Sequence, residues 1–163
     1  MKTIKLLLCV LVLTALSCEK EESDLDSNSA EFELEAAFKS LTNSKIGFEK
    51  DGQLVLAVSN DLIIKEFKNF VTKSGLELKP QSFEVISVDN NEYLRFYSEG
   101  GEVSTLALLK DRNNQYRSGT TVCTTTNCAS GGGCLPNGSY CSKCTPPPGY
   151  PNDCVRTSTG GNQ

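Results

Sequence analysis

Reactive chemistry in this chain is concentrated near its C-terminus, at Cys123, Cys128, Cys134, Cys141, Cys144 and Cys154. Thiols grouped like this can ligate zinc, exchange disulfides, or lock the backbone with structural bridges. Cys141-Ser142-Lys143-Cys144 is a CxxC pair, the unit shared by zinc ribbons and thiol redox sites. The other gaps hold four, five, six and nine residues, so a second CxxC at zinc-ribbon spacing is missing. A redox CxxC normally opens a helix beside a βαβ core. This one sits between Gly131-Gly132-Gly133 and Pro146-Pro147-Pro148.

The other groups capable of chemistry are carboxylates. The chain has no His, so the side chain most used for proton transfer near neutral pH, and the commonest metal ligand, is missing. Glu84, Asp89, Glu92 and Glu102 fall at the ends of expected strands, and no Asp/Glu pair stands out among them. They are expected in solvent, so no catalytic residue, metal ligand or cofactor is assigned. The net charge of -4 comes without a basic cluster, which argues against nucleic acid as a partner, since phosphates must be met by lysine and arginine.

Periodicity supplies the elements that must carry these groups. Asn28 to Leu41 reads as a helix, with Asn28 and Glu31 forming a capping box and Leu34, Ala37, Phe38 and Leu41 on one face. Ile46–Lys50 and Gln53–Val58 flank Asp51-Gly52, a hairpin turn signal. Asn60 to Ser74 is a second helix, capped by Asn60 or Asp61, with Ile63, Phe67, Phe70 and Val71 as its apolar stripe. Gly75 ends it and Pro80 prevents its resumption. Phe83–Val88, Glu92–Ser98 and Glu102–Lys110 follow as strands, and Gln115–Arg117 or Thr120–Thr124 adds a last one. Tyr93, Arg95 and Tyr97 alternate with Leu94 and Phe96, the pattern of a half-buried strand. The expected fold class is α+β: an antiparallel sheet of about five strands with two helices, and an irregular, disulfide-rich C-terminal tail. The expected divisions are a signal peptide over 1–17, an acidic tether over 18–28, the α+β domain over 29–117 and the cysteine-rich tail over 118–163.

The first of those divisions decides how the cysteines are read. Lys2 and Lys5 precede Leu6–Ser17, which carries no charge. Twelve helical residues reach about 18 Å, short of a hydrocarbon core of about 30 Å, so a cleaved secretion signal is expected. Ala15-Leu16-Ser17-Cys18 resembles the lipobox of bacterial lipoproteins, in which the cysteine becomes the lipid-bearing N-terminus. Cys18-Glu19-Lys20-Glu21-Glu22 resembles the surface-export signal of Bacteroidetes-type lipoproteins. Glu19, Glu21, Glu22, Asp24, Asp26, Glu31, Glu33 and Glu35 oppose one base, Lys20, between residues 19 and 35, so like charges extend the tether. The run Cys123-Thr-Thr-Thr-Asn-Cys128-Ala-Ser-Gly-Gly-Gly-Cys134 completes a resemblance to small Bacteroidetes-type surface lipoproteins with a cysteine-rich C-terminal tail. That group brings no catalytic residues with it.

An exported, oxidising location favours structural bridges over zinc, and zinc over redox exchange. Three bridges allow fifteen pairings, which the sequence leaves open. The resemblance implies a protein of the cell envelope, held on the outer membrane through lipid on Cys18 and exposed at the surface. The functional expectation is a non-enzymatic binding or structural module whose partner is an envelope protein or a glycan. Tyr140, Tyr150 and the loop Pro146-Pro147-Pro148-Gly149 are its candidate contacts. The alternatives are an inhibitor presenting a disulfide-framed loop, at Cys134–Cys141 or Cys144–Cys154, and a small carboxylate-based surface enzyme.

Overall fold

A computed structural model describes residues 40–158. The signal peptide, Cys18 and the tether lie outside them, as does the expected helix over Asn28–Leu41 except for its last two residues. Ser40 and Leu41 are not helical, and Leu41 is buried in the core.

The described chain runs β1 (Lys45–Lys50), β2 (Gln53–Leu56), α1 (Asn60–Lys73), β3 (Pro80–Val88), β4 (Asn91–Ser98), β5 (Val103–Lys110), β6 (Gln115–Thr125), β7 (Pro136–Asn137), β8 (Tyr140–Cys141) and β9 (Val155–Ser158). Six strands form one antiparallel sheet in the order β2-β1-β6-β5-β4-β3, and β9 pairs with β6 as a seventh. The strand count therefore exceeds the five expected. β6 is one continuous strand where the sequence offered two short alternatives. Its first part pairs with β1 around Arg117, while Thr121–Thr124 pair with β9. The sheet thus draws its seventh strand from the far side of the cysteine region.

Local chemistry explains the connections. Asp51 and Gly52 both take positive φ, as do Asp89 and Asn90, giving the tight turns that suit twisted hairpins. The N-cap position of α1 is Ser59, just ahead of the expected Asn60 or Asp61; Asp61 lies in the first turn and Lys73 in the last, each complementing the helix dipole. At the other end Gly75 has φ +67°, and the Gly75 and Leu76 amides donate to the Thr72 and Val71 carbonyls. This is a Schellman cap, which satisfies carbonyls that the helix leaves open.

One face of the sheet holds the apolar core. Ile63, Phe67, Phe70 and Val71 of α1 join Leu94, Phe96, Leu106, Leu108, Tyr116 and Val122, with Leu41, Ile46 and Val58 closing the cluster. The Phe67 and Phe96 rings stack with centroids 3.8 Å apart, and Phe83 tilts against Phe96 at 5.6 Å.

The opposite face departs from expectation. The alternation of Tyr93, Arg95 and Tyr97 with Leu94 and Phe96 implies a half-buried strand, yet Tyr93 is 8% exposed. Arg95 aligns with Thr105 and Cys123 across β5 and β6, and Tyr97 with Val103 and Thr125. Gly133 lies against Val103, Thr125 and Arg95, and the Arg95 guanidinium donates to the Gly132 carbonyl. The cysteine region thus forms a lobe that covers this second face.

Candidate functional site

The lobe is built on three bridges: Cys123–Cys141, Cys128–Cys144 and Cys134–Cys154. All six tail cysteines are therefore paired, first to fourth, second to fifth and third to sixth, so each bridge interleaves with the other two. Cys123, Cys128 and Cys134 are fully buried, and their partners are half-buried. The bridges thus supply the interior that the lobe's few apolar side chains cannot. The two cysteines of the CxxC pair are each bonded elsewhere, so that motif does not form its own disulfide. The sulfurs of Cys134, Cys144 and Cys154 lie within 4.8 Å of one another, as do ligand atoms of Cys128, Cys144 and Asp153. These are the groups nearest to a soft-metal ligand set, but a bridged sulfur offers no thiolate.

A polar clasp closes the lobe onto the sheet. The Asp153 carboxylate accepts from the Thr125 hydroxyl and from the Thr126 and Asn127 amides, both at 2.8 Å. Burial pushes its pKa up, but these hydrogen bonds outweigh burial and hold it below the ordinary carboxylate value. Asn127 also donates from its side chain to the Pro151 carbonyl at 3.1 Å.

Between Cys144 and Cys154 the chain forms a fixed loop. The Tyr150 amide donates to the Pro147 carbonyl at 3.2 Å, and Gly149 has φ +91°. Proline at the second turn position and a positive-φ glycine at the third are the residue pattern of a type II turn. The Asn152 side chain ties the loop back to the Cys144 carbonyl at 3.1 Å. The loop therefore presents Tyr150, 61% exposed, from a constrained backbone, and Tyr140 on β8 is 58% exposed. Both tyrosines singled out from the sequence are at the surface, with Pro147 and Pro148 exposed beside Gly149.

The four acids considered for catalysis are placed differently. Glu84 accepts a hydrogen bond from Tyr97, and Glu102 sits in the β4–β5 connection. Burial, and then the bond to Glu84, raise the Tyr97 pKa. Asp89 and Glu92 instead line a cleft of about 440 Å³ between the body and the lobe. Its walls are the β3–β4 turn, Tyr93 of β4, the end of β5 and the lobe segment Leu135–Gly138. Sequence reasoning missed this cleft, because no local pattern joins residue 89 to residue 135, which meet only once the lobe is folded against the sheet.

No family model, curated protein or solved structure matches the chain. Among the described residues no helix is long and apolar enough to cross a membrane.

Proposed function

We propose that this protein is a lipid-anchored envelope lipoprotein whose C-terminal lobe is a non-enzymatic binding module. Lipid on Cys18 holds it at the outer membrane, the acidic tether projects it outward, and a surface protein or glycan meets the lobe. The reading is supported chiefly by the Cys144–Cys154 loop, where Tyr150 stands exposed on a backbone held by a turn, two flanking bridges and the Asp153 clasp. A tyrosine fixed in this way offers contact area with little ordering entropy left to lose on binding. The bridges also fit an exported protein, since such bonds persist in oxidising compartments.

Capture from envelope extract, with the full-length chain as bait, tests this reading. A partner retained by the wild type and by Val55→Ser, but lost from Tyr140→Ser/Tyr150→Ser, is the expected result. Equal capture by all three proteins would remove the tyrosines from the contact. A captured protease that the chain inhibits would move the reading to the inhibitor class. The anchor has its own test: Cys18→Ala should shift the protein from the membrane fraction to the soluble fraction and abolish incorporation of labelled palmitate.

A further inference from the structure

Two of the three bridges lie against each other. The Cys144 and Cys154 sulfurs, which belong to different bridges, are 3.2 Å apart, and the Cys134 sulfur is within 4.8 Å of both. Cys128 is bonded to Cys144, so four sulfurs from four separate positions share one small volume. Neither Cys123 nor Cys141 belongs to the group. Spacing argued against zinc because a second CxxC is missing, but folding gathers ligands that spacing keeps apart.

Hydrogen bonds, as well as bridges, hold these cysteines in two pairs. In the first, the Gly131 and Gly133 amides donate to the Cys128 carbonyl at 3.0 and 2.9 Å. Gly132 and Gly133 take positive φ, which folds the chain back and carries Cys134 towards Cys128. In the second, the Asn152 side chain donates to the Cys144 carbonyl and accepts from the Cys154 amide, both at 3.1 Å. Pairing of Val155 with Thr124 fixes the chain just beyond Cys154. Two turns, each offering two cysteines to the other, are the arrangement from which all-sulfur metal sites are built.

We infer that Cys128, Cys134, Cys144 and Cys154 bind one zinc ion when their two bridges are reduced. A dithiol supplies two electrons and two protons to each bridge and leaves as its own disulfide. The four thiols then release four protons as the metal binds them as thiolates. Each separated pair of sulfurs moves to about 3.8 Å, the edge of a tetrahedron with metal–sulfur bonds of about 2.3 Å. Asp153 also lies within 4.8 Å of the Cys128 and Cys144 sulfurs, but its oxygens are taken by Thr125, Thr126 and Asn127, so it stays the clasp. The lobe thus has alternative fastenings at one place, bridges when oxidised and zinc when reduced. Without metal, nothing replaces the opened bridges.

The test is titration with Co²⁺, then Zn²⁺, of the full-length chain carrying Cys9→Ser and Cys18→Ser, so that only the six tail cysteines remain. The chain is reduced with a phosphine, which becomes its oxide as water supplies the oxygen and the thiol protons. One Co²⁺ per chain should bind with the visible absorption of a tetrahedral thiolate site, and one Zn²⁺ should displace it. The oxidised chain should bind none. Cys128→Ser/Cys134→Ser and Cys144→Ser/Cys154→Ser should each weaken binding by more than about a hundredfold, beyond the loss typical of changes outside the ligands. Cys123→Ser/Cys141→Ser should keep both the stoichiometry and the absorption. Asn152→Ala should weaken binding by about tenfold while all three bridges still form on oxidation. Several results would overturn the inference: no metal bound by the reduced chain, an absorption lacking the tetrahedral thiolate bands, or unchanged affinity in either ligand-pair variant. Equal weakening by Cys123→Ser/Cys141→Ser would also overturn it, since the thiols would then act as an unsorted set. No outcome involves the tyrosines or the anchor, so this inference and the proposed binding role stand or fall separately.

Discussion

The two faces of the sheet are covered by opposite means. On one, α1 lays Ile63, Phe67, Phe70 and Val71 over Leu94, Phe96 and Leu106, and burial of apolar surface holds the layers together. On the other, a lobe poor in apolar residues is held by three interleaved bridges, the Asp153 clasp and the bond from Arg95 to Gly132. The first cover needs a continuous apolar stripe, which leaves it little surface to vary. The second is fixed from within by covalent bonds, so its outward side chains are free of packing duties. Tyr140, Tyr150 and the cleft wall at Leu135–Gly138 all belong to that second cover.

This contrast can be broken from either side. Phe67→Ala removes the ring stacked on Phe96 and should cost about 3–5 kcal/mol, read as a lower midpoint in denaturant. The loss should be similar with and without reductant, because the affected layer contains no bridge. Replacing Cys123 and Cys141 together by serine should cost about 2–4 kcal/mol, since that bridge closes a sequence separation of 18 residues. Here the loss should be concentrated in protease sensitivity of the lobe, with the helix signal in circular dichroism preserved.

Asp153→Ala removes a carboxylate that accepts three hydrogen bonds and should destabilise the lobe by about 1–3 kcal/mol. The pH dependence follows from the direction of its shift. The folded pKa is held below the unfolded value, so the clasp contributes fully above the ordinary carboxylate range, about pH 4, and is lost as pH falls through the folded pKa. Acid titration of lobe stability should therefore be shallower in the alanine variant. At the small end of the scale, Tyr150→Ser should change stability by no more than about 0.5 kcal/mol, because the ring is exposed. A larger loss would mean that the ring packs on the lobe and is not free for a partner.

The helix-covered face was largely legible in the sequence. The stripe from Ile63 to Val71, the stop at Gly75 and the turn at Asp51-Gly52 are local signals, and the structure contains each of them. The lobe-covered face was not. Alternation in β4 could identify two faces but could not show that the second was also covered. The expected strands over Gln115–Arg117 and Thr120–Thr124 are joined by Ser118 and Gly119 into one, with Gly119 continuing the strand beside Ala107. β9 was missed because Val155-Arg156-Thr157-Ser158 is short and mostly polar and becomes a strand only beside β6. The cysteines announced bridges but not their pairing, and the cleft forms only where the folded lobe meets the sheet.

The division of labour between the two faces is tested most directly by hydrogen exchange on the full-length chain, read by mass spectrometry with and without reductant. Reduction should release the amides of 126–154 while those of α1 and of the β4–β5 ladder keep their protection. Loss of protection in both regions together would contradict the division and make the bridges a support of the whole fold.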